Sequence, residues 1–320
     1  MIIDLAVHSF TMWHHFQHAP GFDAMTYIDR MEALGFTGIN LSLNDANYRH
    51  LGGREVERMD RVRERLARSG MSLEVDTSGT APDHMRTMID VAARMGAASL
   101  RTYTRHAGTP AEMMERTIAD LRAVMDHADR AGMTVVIENH EDFTGPELAR
   151  IVEAVGHPRL GILYDYGNSQ MVLEDPDEAL DAVLPHVRAV HVKDHVMVRP
   201  EDAGRLTVAG VPVGDGALPV EHLTRRLLDR GLRRITYENV WGYSAPVRAG
   251  RAPVGRTRLG EGAFRYAEPP FAPEYLLLDL DSVSPSELVR LEHDAFMRGL
   301  DWFKTSLARL GVTGYSATKS

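Results

Sequence analysis

Four polar residues sit at or just beyond the ends of short apolar runs: Glu138 in VVIENH, Asp165 in GILYDYGN, His191 in AVHVKD and Glu238 in ITYENVWGY. The first three are 27 and 26 residues apart and the last follows after 47. Continuous apolar runs of this length read as parallel strands buried on both faces. Residues at equal positions on neighbouring parallel strands converge on one end of the sheet. Three carboxylates meeting there would repel one another and raise each other's pKa, and a divalent cation removes that cost. Carboxylates with one imidazole make an oxygen-rich hard site, suited to one divalent ion: Mn2+ first, with Mg2+, Co2+ and Zn2+ as alternatives. Any one of the four alone reads as a helix cap, a salt-bridge partner or a core histidine. Four on consecutive strands are harder to explain that way.

Other residues near these runs are candidates for contact with a small molecule. His140 follows Glu138 by two and is a candidate base for a phenol or hydroxyl proton, or a loop histidine bonded to backbone. Asn168 is placed to bind a ligand hydroxyl or to fix a turn with Gly167. Lys193 offers a cation for an oxyanion, and Asp194 a carboxylate to orient His191; a local ion pair is the alternative for both. His8 ends the first apolar run, Arg101 lies within the fourth, and Trp241 closely follows Glu238 with a flat face for a ligand ring. Core or rim packing is the competing reading for all three. His14 and His15, between Trp13 and Phe16, point differently and make a poor metal pair, though they could wall a pocket. Met113, Met114 and Met125 recur at helical spacing and read as core.

The elements that must carry these residues alternate along the whole chain. Candidate strands are residues 2–7, 38–43, 72–75, 99–103, 134–137, 161–164, 189–192 and 235–237. Helices are predicted over 23–34, 55–69, 82–95, 110–131, 146–155 and 219–230, each followed by a glycine that supplies a left-handed cap. Eight strand–helix beats predict an α/β fold, a single (β/α)8 TIM barrel over 1–320, with the strand-end residues at the catalytic face. The rival open sheet would want a phosphate-binding GxGxxG turn after an early strand, and no such sequence follows one. Two stretches break the beat. Residues 193–218 read as a long loop after strand seven. Residues 241–283, rich in Gly, Pro and Arg and then in aromatics and Leu, form a long insertion after strand eight, expected as a docked lid or an interface. A last helix over 285–310 follows, and the tail 311–320 is expected to fray.

Composition narrows the function classes. The chain has 320 residues, 44% of them hydrophobic, and a net charge of −9. That balance disfavours nucleic acid, which needs clustered Lys and Arg. With no cysteine, a disulfide framework and a thiolate metal site are both excluded. The start MIIDLAVHSF lacks the basic region of a signal peptide, and no run reaches membrane-spanning length. A cytoplasmic protein without a membrane partner is the expectation.

The E-N-H, D-x-G-N and H-V-K-D motifs with the strand-eight glutamate resemble the xylose isomerase-like barrel superfamily in its sugar isomerase/epimerase branch. LYDYGNSQMVLEDPDEALDAVLPHVRAVHVKDH resembles that branch nearly end to end, and VPVGDGALPVEHL resembles its G-[DE]-G loop. The resemblance covers about residues 1–240. It implies that Glu138, Asp165, His191 and Glu238 bind the metal and that the two glutamates also move protons. The implied reaction abstracts a proton α to a sugar carbonyl through a metal-bound enediolate, as an isomerase or epimerase. An alternative is a lyase on a 3-keto sugar, either a keto-inositol-type dehydratase or a C-glycoside deglycosidase α-subunit with a small partner subunit. There His140 would be catalytic and the insertion would shield an aglycone or dock the partner. A non-catalytic sugar-binding barrel is the reading from another class. Otherwise a homo-oligomer is expected. The endonuclease IV type fits less well: its additional ligands would be histidines where this chain has Asn44, Asp45, Asp76 and Asn168.

Overall fold

The structure, a computed structural model, describes residues 1–318. Seven parallel strands follow one another in chain order: β1 (Ile2–His8), β2 (Gly38–Ser42), β3 (Ser72–Asp76), β4 (Ser99–Thr102), β5 (Thr134–Glu138), β6 (Leu160–Asp165) and β7 (Val187–Val192). A hairpin of β8 (Asp194–Val198) and β9 (Thr207–Val211) comes next, and then β10 (Arg234–Tyr237). β10 pairs with β7 on one side and with β1 on the other, so β1 to β7 and β10 close a barrel of eight parallel strands. This is the (β/α)8 barrel that the alternation predicts. Its strands are buried almost throughout, which explains why they read as apolar runs rather than as alternating ones.

The helices pack outside. Those spanning Val56–Ser69, Pro82–Met95 and Gly145–Val155 end on Gly70, Gly96 and Gly156, all left-handed at φ 68°, 76° and 66°. The predicted single helix over 110–131 is instead two, Pro110–Arg122 and Met125–Arg130, broken by one turn. No helix among the described residues is long and apolar enough to cross a membrane.

Three regions add to the eight beats, and two of them, the stretch after β7 and the tail, depart from the expected outline. The stretch read as a loop from 193 to 218 contains the β8–β9 hairpin, and β11 (Ser244–Pro246) adds to it as a third antiparallel strand. The insertion from 241 to 283 lies against the body of the protein. Trp241 packs with Leu288, Leu291 and Ala295 of the last helix, Pro285–Arg309, while Leu276 joins Val196, Val198, Ala209 and Val211 of the hairpin. Arg248 reaches the loop after β5, pairing with Asp142 at 3.0 Å, and Arg251 reaches the first turn of the helix that follows, pairing with Glu147 at 3.3 Å. The tail is ordered where fraying was expected. β12 (Gly314–Tyr315) pairs parallel with Ile2 and Ile3, and Thr318 donates from both N and Oγ1 to Asp4. A buried carboxylate at the barrel's lower end needs donors, and the tail supplies two of them. Lys319 and Ser320 lie outside the described residues.

Candidate active site and metal centre

The strand ends deliver the four candidate ligands to one place. Glu138 and Asp165 are the last residues of β5 and β6, His191 is the next-to-last of β7, and Glu238 is the first residue beyond β10. Asp165 and His191 are directly paired across β6 and β7. Two groups of potential donor atoms lie mutually within 4.8 Å, Glu138 with Asp165 and His191, and His191 with Glu238 and His8. His191 is common to both.

Each of the four candidates also keeps one buried atom without a hydrogen bond: Glu138 Oε2, Asp165 Oδ2, His191 Nδ1 and Glu238 Oε2. Two of these atoms are ion-paired, Glu138 Oε2 with Arg101 and Asp165 Oδ2 with Lys193, whereas His191 Nδ1 and Glu238 Oε2, 3.8 Å apart, meet neither a donor nor a cation at close range. The four side chains together could hold a cation. Burial, with the His8 and Arg101 charges adding to it, lowers the His191 pKa far below its ordinary value. The neutral ring thus has a lone pair to give. Burial raises the carboxyls of Glu138 and Asp165, against the opposing pull of Arg101 and Lys193. Four carboxylates meet here, counting Asp76, against Arg101, Lys193 and His8, whose pKa is raised. The donor set, three carboxylates and an imidazole, would suit a hard divalent ion.

Surrounding side chains hold this arrangement. Asn139 clamps the end of β5 to the end of β6: its Oδ1 accepts from Asp165 N at 2.7 Å and its Nδ2 donates to Asp165 O at 3.0 Å. Gly167 N donates to Asp165 Oδ1 at 3.0 Å. A Cβ at Gly167 would lie 2.4 Å from the His195 ring, so this turn has room only for glycine. His8 bridges Asp76 at 2.8 Å and Glu238 at 3.2 Å. Burial lowers the His8 pKa, but these two carboxylates outweigh it and the net shift is upward.

A cavity of about 200 Å³ opens above the cluster. Glu138, Glu238, His8, Arg101, Asn168, Lys193 and His140 line it, with Asp165 and His191 buried beneath. Asn168 Nδ2 donates to Glu138 Oε1 at 3.1 Å. Lys193 Nζ lies 2.9 Å from Asp165 Oδ2, and Arg101 Nε lies 2.9 Å from Glu138 Oε2. The His140 ring stacks on Tyr103 at 3.8 Å and is held neutral by burial and the nearby Arg101 and Lys193 charges.

Two candidates lie elsewhere. Trp241 does not line the cavity; its Nε1 donates to Pro273 O at 3.3 Å, and its ring is buried against the last helix. Asp194 spends its carboxylate on the backbone N–H groups of His195, Gly214, Gly216 and Leu218. It therefore shapes the G-D-G loop rather than orienting His191. His14 and His15 also stand apart, tied through their backbone N–H groups to Glu292 of the last helix. Sequence reasoning missed Asp76, Tyr103, Arg105 and Tyr243. Asp76 alone carried a usable signal, an acid ending the run LEVD. A larger cavity of about 600 Å³, bordered by Phe36, Leu66, Met71 and the tail from Tyr315 to Thr318, has no cluster of ligating groups.

Comparisons with known proteins agree with this architecture. The family model described as xylose isomerase-like TIM barrel matches residues 28–254. A 3-oxo-isoapionate decarboxylase of Pectobacterium atrosepticum is 28% identical over 179 residues, 55% of this chain and 65% of that protein. The chain spans only 59–65% of the length of the curated relatives it matches. Among solved structures, D-psicose 3-epimerase from Clostridium cellulolyticum H10 with D-tagatose is similar with a TM-score of 0.63 at 12% identity, covering 95% of this chain and 99% of that one. A xylose isomerase-like TIM barrel protein from Mycobacterium smegmatis in complex with magnesium gives 0.58 at 20% identity, covering 75% and 91%.

Proposed function

The chain belongs to the xylose isomerase-like TIM barrel family, and from that premise we propose that it is a divalent-metal-dependent enzyme acting on the carbon beside a sugar carbonyl, as an isomerase or epimerase. The observation that carries the reading is the convergence of ligand-capable atoms on Glu138, Asp165, His191 and Glu238, in groups within 4.8 Å that share His191, at a polar cavity. A divalent ion, Mn2+ before Mg2+, would be held by these four and would supply the Lewis acidity that makes a proton α to a carbonyl removable. Glu138 and Glu238 both line the cavity and are the candidates to take that proton and to return one to another face or carbon. Asn168 and Lys193 have polar atoms at the same cavity for sugar hydroxyls or a developing oxyanion. Arg101 and His8 hold Glu138 and Glu238 in position. The experiment is solvent exchange. In D2O with Mn2+, a ketohexose substrate should gain deuterium at the carbon next to its carbonyl, and the Glu238→Gln variant should not support this. Metal uptake without any exchange across a panel of ketoses and keto sugar acids would leave the non-catalytic barrel as the better reading.

A second reading is favoured by the decarboxylase relative and by His140, half-buried and neutral in the cavity lined by the two glutamates. On a 3-oxo sugar acid the bond from Cα to the carboxylate would break. Carbon dioxide would leave, its electron pair would pass to the carbonyl to form an enediol(ate), and a proton would then be delivered to carbon. Carbon dioxide release that is lost in His140→Ala would support this reading; full turnover in that variant would remove His140 from it.

A further inference from the structure

Four cationic side chains line the cavity, and three of them are already neutralised by carboxylates. Arg101 pairs with Glu138 and, at 3.7 Å, with Asp76. Lys193 pairs with Asp165 and, at 3.9 Å, with Glu238. Arg49 pairs with Asp45 at 3.1 Å. Arg105 is the exception: among the described residues no carboxylate oxygen lies within 4.0 Å of its guanidinium. The nearest acidic loop is occupied. Glu141 accepts from Tyr243 Oη at 2.7 Å, and Asp142 pairs with Arg248 at 3.0 Å. Tyr243 and Arg248 both belong to the strand-eight insertion, which thereby gives these two acids direct partners other than Arg105.

Arg105 is nonetheless held in place. Its Nη2 donates to Tyr103 Oη at 2.5 Å, and its guanidinium carbon lies 4.6 Å from the Tyr103 ring centroid. Tyr103 is itself fixed by the His140 ring stacked on it, 5° from parallel. A guanidinium keeps free N–H donors after one such bond, arranged as a planar fork that matches a carboxylate or a phosphate. An arginine at the exposed rim of a cavity, anchored by one bond and with its neighbouring acids paired to other groups, can receive an anion supplied by the ligand.

We propose that the substrate is an anionic sugar derivative, a sugar acid or a sugar phosphate, and that Arg105 binds its charged group at the exposed rim of the cavity. This rests on reading the cavity as the substrate site. It goes further by naming the substrate class and a specificity-determining residue. The relevant pair of outcomes is selectivity for charge, not turnover.

The test is calorimetric binding of three four-carbon probes, D-erythronate, D-erythritol 4-phosphate and neutral erythritol, to the full chain with and without Mn2+. The metal-free arm separates Arg105 from chelation of the probe by the ion. One of the anionic probes should bind metal-free protein at least about 10-fold tighter than erythritol, and which of them does so separates carboxylate from phosphate. Arg105→Ala should bring the two affinities within about twofold, and Arg105→Lys should keep part of the preference. Equal binding of anionic and neutral probes by the wild type overturns the inference, as does a preference that survives in a folded Arg105→Ala protein. If charge selectivity is found but solvent exchange and carbon dioxide release are not, the enzymatic reading falls and this one stands. If turnover is found without charge selectivity, the reverse holds.

Discussion

The two ends of the barrel contain the same residue types and use them oppositely. At the lower end Asp4, Glu74 and Arg234 are buried inside the barrel. Asp4 accepts from Thr37, Ser72, Arg234 and Thr318, and Glu74 accepts from Ser99 and Thr236. Burial pushes the Asp4 carboxyl up, but Arg234 and these donors outweigh it and hold it below the usual carboxylate range. At the upper end Glu138 and Asp165 are raised, and His191 Nδ1 and Glu238 Oε2 have no hydrogen bond. Side chains are buried at both ends; the supply of donors differs. Donors that match acceptors make a polar plug that serves the fold. An excess of carboxylates, at the end where barrel enzymes do their chemistry, suits the cation of the proposed function.

The comparison is broken most directly by exchanging charges at the two ends. Glu238→Gln at the upper end should lower kcat by about 10³-fold and leave the midpoint of urea unfolding unchanged or higher, since a repelling charge is removed. Asp4→Ala at the lower end should do the opposite. It should cost about 3–5 kcal/mol by removing one of the two buried carboxylates of Arg234 and the shared acceptor of Thr37, Ser72 and Thr318, while the turnover of the remaining folded protein stays near wild type. Equal stability losses from both variants would show that the upper carboxylates are structural after all.

A smaller effect sharpens the same contrast. Mn2+ at about 100 times its dissociation constant should stabilise the protein by about 2.7 kcal/mol, seen as a rise in thermal midpoint that EDTA reverses. Asp165→Asn should abolish the rise and Asp4→Asn should not. The smallest expected effect concerns Glu174, whose carboxyl burial raises to about 7 despite the N–H that Gly145 donates to it. A group raised above its unfolded value binds its proton in the folded state first. Its stabilisation is therefore complete below the unfolded value of about 4.5 and lost as pH rises through about 7. Glu174→Gln should be neutral near pH 4 and stabilising by about 1–2 kcal/mol at pH 8. A pH-independent difference in urea midpoints would contradict that.

The upper end was legible in the sequence because its chemistry lies at the ends of apolar runs. Closure of the barrel fixes where strand ends go, so Glu138, Asp165, His191 and Glu238 needed no knowledge of side-chain contacts. What was not legible depends on pairings between distant segments. Asp194 looks like a partner for His191, three residues before it, but backbone groups more than 15 residues later claim its carboxylate. Trp241 follows Glu238 closely, yet the helix Pro285–Arg309 offers it Leu288 and Leu291, and burial there wins over the cavity. The tail reads as a polar end because its partner, Asp4, lies at the opposite end of the chain. The β8–β9 hairpin was missed because its short runs, DHVMV and TVAGV, fall between two barrel strands where a loop was expected.

The strand-eight insertion is fastened by two kinds of glue. Its first half is held by partly exposed arginines, Arg248 to Glu141 and Asp142, Arg251 to Glu147, and Arg256 to Asp177 and Glu178. Its second half is held by oil, through Leu276, Leu277, Leu280 and Val283. Dissolved salt acts on these halves with opposite sign. Screening weakens exposed ion pairs, whereas sulfate strengthens apolar burial. One solute thus loosens the half beside Tyr243 and the cavity while tightening the half over the hairpin, and the ionic strength of the solution becomes a dial on how firmly the acids near Arg105 are kept occupied.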